Sequence, residues 1–178
     1  MRIIAGKYKG LRFPAFHSKD IRPTTDKSKE AIFTYFDSKY ELEECHCLDL
    51  FAGSGTVSIE FLSRGVKSMT SLDKGKESTQ YLLGLKKQLK SPDNWEITQQ
   101  DVNRFITQVD IALYDIVFAD PPYNMSSLHS FTDKVIDKMK ESACFVLEHK
   151  SEIRFTSPYL RETKNYGKSA FSIFRREP

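Results

Sequence analysis

Long apolar runs are missing from this chain of 178 residues. None approaches the roughly 20 residues that a membrane-spanning helix requires, so an integral membrane protein is not expected. The opening MRIIAGKYKG has only a short apolar patch, too brief for the core of a secretory signal. Cysteine is sparse, limited to Cys45, Cys47 and Cys144. An odd, small set argues against a disulfide framework. A lone C-x-C with no second pair is poor zinc spacing, and no metal is expected. All three cysteines read as small buried apolar side chains, and a reducing cytoplasm is the expected location. Repeats and low-complexity tracts are absent too. Charge imbalance is slight: 27 Lys and Arg against 24 Asp and Glu, net +3. That tolerates an anionic partner without demanding one. At this length a single domain is the default, with a core large enough to need no staples.

What is present divides in two. Residues 1–40 are basic, with Arg2, Lys7, Lys9, Arg12, Lys19, Arg22, Lys27 and Lys29 interleaved with Tyr8, Phe13 and Phe16. Gly6 and Gly10 bracket an expected hairpin between RIIA and LRFPAF. RPTTDKSKEAIFTYFDSKY reads as a helix capped by Thr25 or Asp26, with Ile32, Tyr35 and Phe36 on one face. From residue 45 strands and helices alternate: CHCLDLF, TVSIEFLSRG, VKSMTSL, KESTQYLLGLKKQLK, NWEIT, YDIVFA, SFTDKVIDKMK and ACFVLEH. Alternation of this kind predicts right-handed crossovers and a mostly parallel sheet. The tail YLRETKNYGKSAFSIFRR has two strand-like runs around Gly167 and no helix between them, hence a closing antiparallel hairpin.

In an open α/β sheet, ligands bind outside the carboxyl ends of the strands. The unusual residues gather there: Asp49 in the first strand, Gly53 and Gly55 in the turn after it, Asp73 ending the second, Asp101 after the third and Asp120 ending the fourth. Singly, each acid reads as a turn or cap residue. Four at one edge suggest a site. LDLFAGSG has the spacing D-x-x-x-G-x-G, but Ser58 stands where a full dinucleotide fingerprint needs a third glycine. Asp73 lies twenty positions after Gly53, a spacing suited to an acid on ribose hydroxyls. A nicotinamide enzyme and a methyltransferase using S-adenosylmethionine both fit this far. The stretch Asp120-Pro121-Pro122-Tyr123 favours the methyltransferase. Asp120 and the Pro121 carbonyl can each accept an N–H bond from an exocyclic base amine, aiming its lone pair at a methyl group. The prolines stiffen that carbonyl, and the Tyr123 ring can stack on the base. Glu148 to Lys150 sit at another strand end, lining the pocket or serving as turn residues.

At this point the chain resembles the bacterial 16S rRNA guanine-N2 methyltransferases of the RsmD type. MRIIAGKYKG, RPTTDKSKEAIF, LDLFAGSGTVSIEFLSRG, DPPY and YGKSAFSIFRR are similar to successive segments of that family, across nearly the whole length. The resemblance implies an α/β class I methyltransferase fold: a Rossmann-like, seven-stranded, mostly parallel sheet with an antiparallel closing hairpin. It implies residues 1–40 as an RNA-contact extension and 41–178 as the catalytic domain. S-adenosylmethionine is the implied cofactor. Asp49, Phe51, Gly53, Gly55, Asp73 and Asp101 are the implied cofactor contacts, and Asp120, Pro121, Pro122 and Tyr123 the catalytic set. Lys7, Lys9, Arg12 and Arg22 are the expected RNA contacts, although a solvated charged hairpin would show the same composition. The partner is 16S rRNA or the small ribosomal subunit, bound by a monomer. Gly75 departs from the family, whose members commonly keep an acid or polar residue there. Two other readings stay open. One is a DNA adenine or other amino-group methyltransferase, disfavoured by the lack of a separate recognition domain. The other is a catalytically silent RNA-binding or assembly factor, disfavoured by the intact acids.

Overall fold

The computed structural model describes residues 2–14, 16 and 26–176, with the Asp26 side chain left out. Among the described residues there are five α-helices and seven strands, alternating from β1 to β5. They are α1 (Asp26–Lys39), β1 (His46–Asp49), α2 (Thr56–Ser63), β2 (Ser68–Asp73), α3 (Lys76–Gln88), β3 (Trp95–Gln99), α4 (Val102–Gln108), β4 (Ile116–Ala119), α5 (Leu128–Lys138), β5 (Cys144–Lys150), β6 (Leu160–Tyr166) and β7 (Ser169–Arg175). The strands form one sheet in the order β3-β2-β1-β4-β5-β7-β6. β1 to β5 pair in parallel, and β7 runs antiparallel between β5 and β6. The chain winds outward from β1 in one direction, then returns to start again at β4. The switch point therefore lies between the carboxyl ends of β1 and β4, where a doubly wound sheet opens a crevice. Among the described residues no helix is long and apolar enough to cross a membrane.

Both faces of the sheet are covered, so the central strands are apolar on both sides, as a parallel sheet requires. Cys47, Met69, Ile116, Phe118, Cys144 and Val146 point to the face packed by α1, α2 and α3. Leu48, Leu72, Val117, Ala119, Phe145 and Leu147 point to the face packed by α4 and α5. Cys45, Cys47 and Cys144 are all buried and unpaired in disulfides. The closing hairpin forms as its pattern predicts, with Gly167 at φ 64° in its turn.

The first forty residues pack against the rest. Ile32, Phe33 and Phe36 of α1 are buried, and the rings of Phe33 and Phe36 lie 4.7 Å and 5.1 Å from that of Phe61 in α2. The expected N-terminal hairpin shrinks to a single bridge between Arg2 and Arg12. The backbone N–H groups of Ile4 and Ala5 instead donate to the Glu60 carboxylate, at 2.9 Å and 3.0 Å. Glu60 is fully buried in α2 and also faces Lys29 of α1 at 3.5 Å. Lys29 in turn donates to the Arg2 carbonyl. Gly6 has φ +77°, and a Cβ there would sit 1.8 Å from the Ser63 carbonyl oxygen, so only glycine allows this approach. The next N–H, that of Lys7, donates to that same carbonyl and closes the free C-terminus of α2. Thr25, one of the two expected caps of α1, lies outside the described residues.

Candidate active site

The turn from β1 into α2 is built on two glycines with positive φ, Gly53 at 49° and Gly55 at 73°. A Cβ on Gly55 would come within 2.5 Å of the Leu82 side chain of α3, which would have to shift, and the positive φ itself favours glycine there. Asp73, at the end of β2, holds this turn. One of its carboxylate oxygens accepts the Gly53 N–H at 2.8 Å, and the other accepts the Gly75 N–H at 2.7 Å. The departure at Gly75 thus has a local reason: a Cβ there would lie 3.1 Å from the Asp73 carboxylate and 3.3 Å from the Ser78 hydroxyl.

Asp49 sits behind the turn, on the face of the sheet that carries α2. Its carboxylate accepts from the Ser58 hydroxyl at 2.8 Å. Ser58 accepts from Ser71, and Ser71 from the indole N–H of Trp95, at 2.7 Å and 2.8 Å. This chain of buried hydrogen bonds fixes the position of the acid under the glycines. Burial pushes the Asp49 pKa up to about 7, against the pull of the Ser58 and Phe51 donors. Folding therefore raises the pKa above its unfolded value, and the folded cofactor-free protein keeps a proton that the unfolded chain has released. The resulting stability is present in acid and is lost as pH rises from about 4 to about 7. Melting temperatures of the cofactor-free protein should fall across that window, and Asp49→Asn should flatten the fall. Coincident curves for the two proteins would show that Asp49 does not ionise there.

Asp101 begins α4, a helix the alternation pattern did not predict. Its carboxylate accepts the Asn103 and Arg104 N–H groups at 2.9 Å and 3.3 Å, capping the helix while its exposed side borders the cleft. Phe51 is half-buried, edge-on to Phe131 at 5.6 Å, and borders the same cleft. Asp120 follows β4 directly. It keeps some surface open to the cleft, yet burial, then Glu148, then Asp49 push its pKa well above the usual carboxylate range. Pro121 is buried and Pro122 exposed. The Lys150 ammonium lies 5.8 Å from the centre of the Tyr123 ring.

One open cleft of about 970 Å³ joins all of these, with Asp49, Gly53, Asp73, Asp101, Asp120 and Tyr123 among its lining. That is at the upper end of the usual range for ligand pockets, about 300–1,000 Å³. The proposed cofactor and catalytic residues thus share a border, except that Gly55 lies just inside the turn. Lys7, Lys9 and Arg12 are exposed on the N-terminal segment, not in the cleft, and Arg22 lies outside the described residues. Glu148 of β5, one of the strand-end residues read as lining the pocket or serving a turn, does line the cleft; among its other lining residues, Tyr166, Lys168 and Ser169 of the closing hairpin were not in the expected site. The signal for them was available. An antiparallel strand begins at the edge where parallel strands end, so the β6–β7 turn must land beside the cleft.

The sheet order, the antiparallel strand next to the edge and the glycine turn after β1 together define a class I methyltransferase fold. A family model described as Conserved hypothetical protein 95 matches residues 1–175, and the chain belongs to that family. Ribosomal RNA small subunit methyltransferase D of Escherichia coli K12 is 29% identical over 99% of this chain and 90% of its own. The Haemophilus influenzae protein of the same name is 36% identical over 71% of this chain and 65% of its own. The solved structure of yhhF from Escherichia coli matches with TM-score 0.85 and 28% identity, covering 99% of this chain and 98% of the other. An RNA methyltransferase from Salinibacter ruber, solved with S-adenosyl-L-homocysteine, shares the fold at TM-score 0.69 and 14% identity, over 88% of this chain and 94% of its own.

Proposed function

We propose that this protein transfers a methyl group from S-adenosylmethionine to the exocyclic N2 of a guanine in 16S rRNA. The observation that carries the reading is the placement of Asp120-Pro121-Pro122-Tyr123 and the glycine turn on one cleft, at the switch point of the sheet. The residues fit the cofactor: a side-chain-free turn at Gly53 and Gly55, with acids at the ends of β1 and β2 behind and beside it. When bound, S-adenosylmethionine supplies an electrophilic methyl on a sulfonium. In this reading Asp73 would take the ribose hydroxyls, and Asp101 would lie near the adenine.

Asp120 and the Pro121 carbonyl would accept the two amine protons and turn the nitrogen lone pair toward the methyl carbon. The Asp120 carboxylate would stabilise the positive charge that develops on the methylated amine, and the one amine proton released would pass from there to solvent water. The incoming N–H donors would favour ionised Asp120, opposing the burial and the like charges that raise its pKa. The Tyr123 ring offers a stacking face for a base out of its helix, since A-form RNA hides base edges from side chains. Label transfer from S-adenosylmethionine to unmodified small-subunit rRNA and subunits, followed by mapping of the methylated base, tests the reading. Label on adenine, or on DNA alone, would replace it with the amino-group alternative. Cofactor binding with no transfer to any RNA would favour a silent assembly factor.

The N-terminal segment is the proposed RNA contact. Lys7, Lys9 and Arg12 are exposed, and the Lys7 ammonium lies 4.8 Å from the Tyr8 ring centre, leaving cation and aromatic side by side. Reversing all three charges to Glu is expected to weaken RNA binding and lower the slope of log affinity against log salt by about 0.7–0.9 per lost phosphate contact. A slope equal to that of the unaltered protein would make the segment purely structural.

A further inference from the structure

An amine holder alone does not choose a base. Guanine and adenine both present an exocyclic NH2 group, so the D-P-P-Y turn accepts either. The ring nitrogen beside the amine separates them: N1 of guanine carries a hydrogen, whereas N1 of adenine is a bare lone pair. A site for guanine therefore needs a second acceptor next to the first, on the same side of the cleft.

The sheet supplies one. Ala119 of β4 pairs in register with Leu147 of β5, so Asp120 and Glu148 are the next residues along two adjacent parallel strands. Side chains in register on neighbouring strands project to one face, about 4.8 Å apart. Glu148 is buried, 5% exposed, and lines the cleft beside Asp120 and Pro121. We infer that Glu148 reads the base: its carboxylate accepts the N1–H of guanine while Asp120 and the Pro121 carbonyl accept the two hydrogens on N2. This rests on the guanine-N2 reading above and adds the residue that enforces it.

Adenine or cytosine in the same pose would set a ring lone pair against the Glu148 carboxylate. A ring lone pair facing a buried carboxylate is costly, and a site built around an N–H can reject an analogue lacking it by about 10⁴-fold. The perturbed Asp120 is consistent with this pairing, since Glu148 is the foremost charged group raising its pKa. Two carboxyl groups on one face repel each other, and an N–H donated to each lowers that cost. Guanine brings an N–H to both at once, from adjacent atoms.

The test uses whichever substrate accepts the label above, small-subunit rRNA or subunit, rebuilt by ligation so that its RNA carries guanosine or 2-aminopurine riboside at the mapped target base. 2-Aminopurine keeps the 2-amine but has a lone pair at N1. The unaltered protein is expected to methylate the guanosine RNA at least about 100-fold faster. In Glu148→Gln, the side-chain amide can turn its NH2 toward that lone pair. The ratio should then fall to within about tenfold, with S-adenosylmethionine affinity by calorimetry unchanged. Loss of the O6 atom, which 2-aminopurine also lacks, would lower the rate equally in both proteins and leave the ratio alone. Equal rates on the two RNAs with the unaltered protein, a comparison that needs no variant to fold, would overturn the role of Glu148. So would an unchanged ratio in Glu148→Gln; in both cases guanine-N2 transfer stands. No transfer to the guanosine RNA would remove the underlying reading, and this inference with it.

Discussion

Asp120→Ala is expected to abolish methyl transfer while leaving S-adenosylmethionine binding nearly intact. The carboxylate follows β4 on the cleft, where the target amine is proposed to sit, and the glycine turn makes its hydrogen bonds elsewhere. Removing an acceptor aimed at developing positive charge costs roughly 3–4 kcal/mol, a hundredfold or more in rate. Asp120→Asn sharpens the comparison. It keeps the shape, retains one oxygen acceptor and loses the ionisation. Because the Asp120 pKa stands well above the usual carboxylate range, the unaltered enzyme should gain rate as pH rises through that elevated value. The Asn variant should be slow and lack that rise. Single-turnover rates against pH, with cofactor affinity measured alongside, decide the matter. Near-normal turnover in either variant would take Asp120 out of the chemistry.

Asp73 should fail differently. Both of its oxygens already hold backbone N–H groups, at Gly53 and Gly75. Asp73→Ala strips both bonds and any contact to ribose, each charge-assisted bond being worth about 1.5–3 kcal/mol. Cofactor affinity should drop by tenfold to several hundredfold. Asp73→Asn should be nearly as harmful, because two N–H donors converge on the side chain and an amide offers one oxygen and one NH2. Calorimetry with S-adenosylmethionine and RNA-binding assays separate the effects: cofactor affinity falls and RNA affinity holds. Unchanged cofactor affinity in both variants would make Asp73 a brace for the turn and nothing more.

Much of this arrangement could be read from residue order because the signals are local. Apolar runs ending in acids gave the strands, Gly65 and Gly167 marked stops, and the strand-end acids pointed to one edge. What was missed depends on partners far away in sequence. The N-terminal hairpin looked self-sufficient, but Glu60, 56 positions beyond Ile4, takes N–H groups that a hairpin ladder would have used. α4 has seven residues, too few for a helical period to stand out, and only its Asp101 cap announces it. That acid was read as a ligand contact while its carboxylate also serves the helix. Glu148 was visible as a strand-end acid, but its place beside Asp120 follows from the β4–β5 register, which no spacing within the chain reveals.

The buried Glu60 has a consequence for how the two ends of the molecule can be separated. It ties α1, the backbone at Ile4 and Ala5, and α2 into one knot, and α2 starts at the glycine turn. Trimming the first residues would therefore not yield a lean catalytic core. It would strip a buried carboxylate of two of its donors, and cutting back through Lys29 would also remove its ammonium partner. Arg64, 3.3 Å from the same carboxylate, would remain, so the loss would be smaller than the roughly 3–5 kcal/mol of a buried charge left wholly alone, yet still a share of the roughly 5–15 kcal/mol that holds a typical domain together. An evolutionary lineage could recolour the exposed charges of this segment freely, but shedding the segment would cost the rest of the fold part of its stability.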